Sequence, residues 1–207
     1  MTTPRFLLVR HGQTDWNAAG RWQGSSDIPL NSVGLAQASA AASWFARFNP
    51  VAIWSSPLER AHTTASKTAE LAGCPVSTDT RLCEIDFGDF EGFTWSQLEQ
   101  SDPGLWAWRT GEHDCRWSST GETGAEVGLR VSQALQDIDA STPGGTILVF
   151  SHGTAIRCGV GTLMGWDFST MWCLDSLGNC CTTWLNRAGE SWRIERYNAE
   201  PQWNFAG

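Results

Sequence analysis

Lysine is almost absent from this 207-residue chain: Lys67 stands alone among 14 basic residues, and the other 13 are arginines. Tyrosine is as scarce, with Tyr197 the sole example. Charged residues reach only 17%, below the roughly 25% of ordinary globular chains. With 41% hydrophobic residues the chain is too apolar for a disordered protein. No apolar run approaches the roughly 20 residues of a membrane span, so no membrane partner is expected. A net charge of −8 leaves no surplus for a basic face, which excludes a general nucleic-acid binder. Internal repeats, low-complexity tracts and linkers are also missing. The opening residues run straight into an apolar stretch without a signal-peptide layout, which predicts a cytoplasmic protein.

Cysteine is present but unpatterned. Cys74, Cys83, Cys115, Cys158, Cys173, Cys180 and Cys181 are odd in number and include no CxxC pair. A chain of this length buries enough surface to fold without staples, so reduced, mostly buried thiols are expected. His113-Asp114-Cys115 could hint at a metal, but three adjacent residues rarely converge on one ion and no second cluster completes a site. No metal and no cofactor are expected. What the chain does have is tryptophan, 13 in all.

Residues 5–10, 51–55 and 146–150 are apolar runs suited to buried strands, and a short strand is expected near 75–79. Helices are predicted at 31–48, capped by Asn31 or Ser32, and from Ser56-Pro57 to about Leu71 with proline in the first turn. Further helices are expected at 94–101, 103–110, 122–140, 153–165 and 167–173, with a loop at 84–93. Strands near 179–186 and 191–197 flank the turn Arg187-Ala188-Gly189-Glu190, a hairpin pattern. Alternating strands and helices predict one α/β domain over 1–207: three layers, α/β/α, around a mixed, mostly parallel sheet.

Ligands of such sheets bind beyond the carboxyl ends of the strands. Arg10-His11-Gly12 ends the first strand, Ser55-Ser56 through Arg60 follows the second, and Ser151-His152-Gly153 ends the strand at 146–150. Two histidines and two arginines therefore converge. Gly12 is expected to let the chain turn sharply. Paired imidazoles and guanidiniums suit a dianion, since the arginine fork matches phosphate oxygens. A neutral imidazole is also a covalent nucleophile. Arg10, Arg60 and a protonated His152 would supply the charge that phosphoryl transfer needs without a metal. A carboxyl group must protonate the leaving oxygen and later activate water. Glu84 leads; Asp86, Asp89 and Glu91 compete, and spacing alone does not choose among them.

These residues sit in a longer pattern. Arg10-His11-Gly12-Gln13-Thr14-Asp15-Trp16-Asn17 resembles the RHGxTxxN signature of the histidine phosphatase superfamily, in its phosphoglycerate-mutase-like branch. Gln23-Gly24, the stretch 29–38, Ser55 to Ala61, Glu84 to Gly92, Gly121-Glu122-Thr123 and Ser151-His152-Gly153 continue it in order. The resemblance implies a sheet of about six strands between helices. It implies His11 as the phosphorylated nucleophile, Arg10, Arg60 and His152 as phosphoryl ligands, Asn17 as their assistant and Glu84 as proton donor. Gln23 and Gly24 match the substrate-entry segment; Trp22 and Thr154 are expected beside the substrate. A homodimer is a further implication.

Members of the branch divide into mutases and phosphatases. From Ile85 to Gly121 the only cations are Arg109 and Arg116, against Asp86, Asp89, Glu91, Glu99, Asp102, Glu112 and Asp114. That is a poor clamp for a second phosphate and favours a metal-independent phosphomonoesterase over a mutase. A catalytically silent binding module would not need a nucleophile with a matched proton donor. The C-terminal stretch resembles actinobacterial phosphatases of the branch, among them those acting on glucosyl-3-phosphoglycerate. That resemblance implies a sugar-linked phosphoglycerate, within the wider class of small organic phosphates. A glycerate carboxylate would want a cation, with Arg21, Arg109 and Arg116 as possible donors. Residues 94–118 would form a helical cap-like insertion, whose Trp95, Trp106, Trp108 and Trp117 face either the core or the pocket. Gly159-Val160-Gly161 imitates a dinucleotide pattern but falls inside a helix, where close packing explains it. His62 is expected at the surface.

Overall fold

A computed structural model describes residues 5–101, 105, 110–189 and 191–201. Its sheet has six strands: β1 (Arg5–Arg10), β2 (Pro50–Ser55), β3 (Val76–Thr78), β4 (Thr146–Ser151), β5 (Thr182–Ala188) and β6 (Ser191–Ala199). Their order is β3-β2-β4-β1-β5-β6. The first four are mutually parallel; β5 runs antiparallel to β1 and to β6. The sheet is thus mixed and mostly parallel, and the hairpin expected at the C-terminal end closes it.

The helices are α1 (Asp15–Ala18), α2 (Ser32–Ala46), α3 (Glu59–Ala72), α4 (Trp95–Ser101), α5 (Gly124–Ser141), α6 (Gly153–Leu163) and α7 (Phe168–Trp172). Two separate cores show why three layers form. Phe6 and Leu8 of β1, with Ile147 and Val149 of β4, face a cluster containing Val127, Val131, Ile156 and Val160 of α5 and α6. The alternate residues Leu7, Val9, Leu148 and Phe150 face Ala41 and Phe45 of α2 and Ala65 of α3. A strand buried on both faces must be apolar at every position, as these runs are. Each large side chain so buried contributes about 1.5–3 kcal/mol.

Local signals set most boundaries. Asn31 caps α2 by accepting from the Gly34 N–H, and Thr123 and Glu126 form a reciprocal capping box on α5. Asp114 adds a second cap there, accepting from Gly124 and Ala125, so the residue that hinted at a metal serves the helix. Among the described residues no group of His, Cys, Asp and Glu is placed to hold a metal ion. Nor is any helix among them long and apolar enough to cross a membrane. Gly159 and Gly161 pack against Val131 and Met171, leaving no room for a Cβ, in line with close helix packing.

Other expectations change. Helix α3 begins at Glu59 instead of at Ser56-Pro57, because Ser56 is engaged with His152 and Asp27 accepts from the Glu59 N–H. Gly12 is absent from the positive-φ glycines. It is needed because a Cβ there would lie 2.6 Å from the Gly34 carbonyl oxygen, so close approach to α2 explains it. All seven cysteines are free, but only Cys158, Cys180 and Cys181 are buried. Of the second helix expected at 103–110, with Trp106, Trp108 and Arg109, only the buried Leu105 and the exposed Thr110 are among the described residues.

The topology places the site. Strand β1 leads to α2 on one face, whereas the adjacent β4 leads to α6 on the other. Their exit loops part at the carboxyl ends and leave a crevice between them. In the register Arg10 stands beside Ser151, so His11 and His152 leave the sheet side by side.

Candidate active site

A cavity of about 580 Å³ opens there, lined by Arg10, His11, Asn17, Trp22, Gln23, Arg60, Glu84 and Thr154 among others. Of the sequence-predicted site residues, His152 and Gly24 lie just behind its wall: His152 is fully buried against Arg60, and Gly24 is buried beneath it.

His11 is 2% exposed, and its Nδ1 lies 2.6 Å from the Gly12 carbonyl oxygen. A carbonyl only accepts, so Nδ1 carries the proton and Nε2 carries the lone pair. Burial, followed by the fields of Arg10 and Arg60, holds the ring pKa well below its ordinary value, so the imidazole is neutral near pH 7. That is the form of a nucleophile.

His152 departs from expectation. Arg60 Nε–H can only donate, and it points at His152 Nδ1 over 3.2 Å. Nε2 therefore bears the hydrogen and donates to Ser56 Oγ at 2.9 Å. Burial, then Arg60, His11 and Arg10, depress its pKa well below normal. The protonated His152 expected from the sequence is thus corrected to a neutral tautomer. Charging it beside two guanidiniums in a dry site costs too much.

Arg60 is fully buried, and its Nη1 and Nη2 each donate to a loop carbonyl, Ser26 and Gly24, at 2.7 Å. Arg10 donates to the Leu177 carbonyl, while its Nε is buried without a partner. Burial lowers both guanidinium pKa values, and Glu84 partly offsets this.

Glu84 is the only one of the four rival carboxylates on the cavity wall. Its Oε1 accepts from Ala155 N at 2.8 Å and Ile85 N at 3.0 Å, and its Oε2 from Thr154 N at 3.2 Å. It thereby caps α6, whose N-cap residue His152 makes no side-chain cap. Glu122 and Arg130, a bidentate pair at 2.8 Å, hold the Glu84 segment; Arg130 also donates to the Cys83 and Glu84 carbonyls. Asp86 accepts from Gly88 N, and Asp89 is exposed. Glu91 accepts from the Ser25 and Ser26 N–H groups and hydroxyls, so it shapes the loop that holds Arg60.

Asn17 Oδ1 accepts from Thr14 N and Asn179 Nδ2, and Thr14 Oγ1 donates to Gln23 Oε1 at 2.9 Å. Trp22 lines the cavity while packing against Phe87, Trp95 and the fully buried Trp117. For Trp95 and Trp117 packing is therefore the observed role. His62 is exposed and off the cavity. Arg21 lines the cavity, whereas Arg116 pairs with Glu126 at the surface.

Sequence reasoning missed Arg157, Trp172 and the 174–176 segment, all on the cavity wall. Arg157 had a signal, since four residues beyond Gly153 is one helical turn and the same face. Trp172 had none, because the loop beyond α6 decides where it lands.

The model of the histidine phosphatase superfamily (branch 1) matches residues 6–200. The chain belongs to the histidine phosphatase superfamily. Among relatives in that superfamily, the glucosyl-3-phosphoglycerate phosphatase of Mycobacterium tuberculosis is 33% identical, covering 98% of this chain and 97% of its own. The metal-independent phosphoserine phosphatase of Arabidopsis thaliana is 36% identical over 73% of this chain and 65% of its own. A solved structure of phosphoserine phosphatase from Entamoeba histolytica with 3-phosphoglyceric acid superposes with a TM-score of 0.84. It is 30% identical, with 95% of this chain and 97% of that chain covered. Membership, with a named phosphatase relative over nearly the full length, makes this histidine phosphatase a phosphoric monoester hydrolase.

Proposed function

We propose that the chain hydrolyses a small organic phosphate monoester, without a metal, through a phosphohistidine on His11. One observation carries this reading: the Nδ1–H of His11 is tied to a carbonyl, which leaves a neutral Nε2 lone pair in a cavity that also holds Arg10, Arg60 and Glu84. Nε2 attacks phosphorus as the bond to the leaving oxygen breaks, and Glu84 gives that oxygen a proton. Water then attacks the phosphohistidine, its proton passes to Glu84, and inorganic phosphate leaves. Arg10 and Arg60 neutralise the equatorial oxygens. Arg60 has one hydrogen on each Nη still uncommitted for this. His152 orients Arg60 as a neutral acceptor.

Asn17, Gln23, Gly24, Trp22 and Thr154 form or support the walls of the substrate site. Residues 1–207 act as one catalytic unit with a cap at 94–118, in the cytoplasm. A sugar-linked phosphoglycerate is the preferred substrate candidate, on the strength of the mycobacterial relative and a cavity with room beyond a glycerate. Hydrolysis is favoured over mutase action because Arg116, one of two cations in the segment after Glu84, is spent on Glu126 and the Gly121 carbonyl.

Purified protein is expected to hydrolyse p-nitrophenyl phosphate in EDTA and to form a phosphoenzyme stable in alkali but lost in acid. His11→Ala abolishes both. Activity that survives His11→Ala, or that requires a metal, overturns the mechanism. Transfer from a bisphosphoglycerate to 3-phosphoglycerate would reinstate the mutase. Light scattering tests the homodimer.

A further inference from the structure

Among the described residues, Arg157 is the one buried arginine on the cavity wall that the phosphoryl-transfer scheme does not use. It is 8% exposed, and its Nε is buried without a hydrogen-bond partner. Nη2 donates to Ser176 Oγ at 3.1 Å, and the guanidinium lies 4.2 Å from the centroid of the Trp172 ring. Among the described residues no carboxylate lies within salt-bridge reach of it. The fold therefore holds a cation at the wall of the substrate cavity, set over an aromatic face and lacking a counter-charge. A cation so placed is suited to receive an anion.

Position limits which anion. Arg157 lies on α6 about 7 Å along the helix from His152, and helical side chains lean toward the N-terminus, here the phosphoryl end. The group it meets is thus a few bonds from phosphorus in the same molecule. Asp175 also lines the cavity, so the local charge suits a monoanion better than a second phosphate dianion.

We propose that Arg157, held by Trp172 and Ser176, is a subsite for a carboxylate, so that the substrates are phosphate monoesters of hydroxy acids. This rests on the phosphatase reading above. The fork supplies two parallel N–H donors to a planar carboxylate, and contact with the Trp172 ring restrains it.

The test compares 3-phosphoglycerate with glycerol 3-phosphate, in which a hydroxymethyl group replaces the carboxylate. Wild-type kcat/KM is expected to favour 3-phosphoglycerate by about tenfold or more, and Arg157→Gln to reduce that ratio by roughly 10- to 100-fold, as for loss of a charged hydrogen bond. Arg157→Lys, which keeps the charge without the fork, falls between. A wild-type ratio near one overturns the proposal even if the variants fail to fold. Equal losses on both substrates in a folded variant overturn it too. If neither ester nor p-nitrophenyl phosphate is hydrolysed, the phosphatase reading fails separately. The subsite is then judged by calorimetric Kd values of the same two esters for the wild-type protein, where equal affinity refutes it.

Discussion

Glu91→Gln offers a sharp test of how the phosphoryl site is held, because Glu91 is outside the cavity lining. Its carboxylate accepts from Ser25 N at 2.6 Å, Ser26 N at 2.9 Å, Ser25 Oγ at 3.0 Å and Ser26 Oγ. The loop so gathered turns its Gly24 and Ser26 carbonyls to Arg60. Glutamine keeps one oxygen but sets an NH₂ against groups that donate. At about 1.5–3 kcal/mol for a hydrogen bond to a charged acceptor, discounted for the exposure of Ser25, the loop loses about 2 kcal/mol of ordering. A guanidinium misplaced by about 1 Å costs on the order of 100-fold in rate. We therefore expect kcat/KM on p-nitrophenyl phosphate to fall by roughly 10- to 100-fold, chiefly through kcat. Gly24→Ala reaches the same contact from the other side: its φ is +54°, and a Cβ would lie 2.0 Å from Glu91 Oε1. It should show the same split. Circular dichroism checks that both variants fold. A folded Glu91→Gln enzyme within twofold of wild type would refute the link from Glu91 through the loop to Arg60.

Three further outcomes follow from packing and charge. His11 and His152 both have depressed folded pKa values, so below the ordinary value of 6.5 the unfolded chain binds protons that the native state refuses. Stability is then full above about pH 6.5 and falls as pH drops below it, by up to about 2.7 kcal/mol per pH unit for two groups; urea midpoints that match at pH 5.5 and 7.5 would contradict this. Ser56→Ala removes the acceptor of His152 Nε2–H and should cost about 1–3 kcal/mol in urea unfolding, with an unchanged midpoint counting against the His152–Ser56 hydrogen bond. Gly34→Ala would set a Cβ 2.0 Å from the Gln13 carbonyl oxygen, and the shift it forces in the 12–13 loop should lower both thermal midpoint and activity; a variant as stable and active as wild type excludes that close approach.

Much of the framework was legible because its signals are local. Strands β1 and β4 are apolar at successive positions since both faces are covered, and that needs no partner to be read. Asn31 and Thr123 mark helix starts by their own chemistry. The meeting of His11 with His152 followed from the rule for strand ends, and the parallel register delivers it. Illegible were the features set by groups distant in sequence. The proline after Ser56 marks a helix start in isolation, but Asp27 and His152 claim the residues around it. Glu84, Asp86, Asp89 and Glu91 are equivalent by composition, and only the cavity separates them.

The sequence by itself determined the layers, the strand ends that carry the site and the residue types that meet there, because periodicity, capping and apolar runs act over a few residues. Tertiary structure alone decided the protonation pattern and the division of labour. His152 is neutral because Arg60 donates to it in a buried site. Glu91 serves the loop because Ser25 and Ser26 fold onto it. Arg157 is held against an aromatic ring at the cavity wall because α7 brings Trp172 to it. Each of these depends on groups far apart in the chain, and on burial that exists only once the sheet and helices have closed.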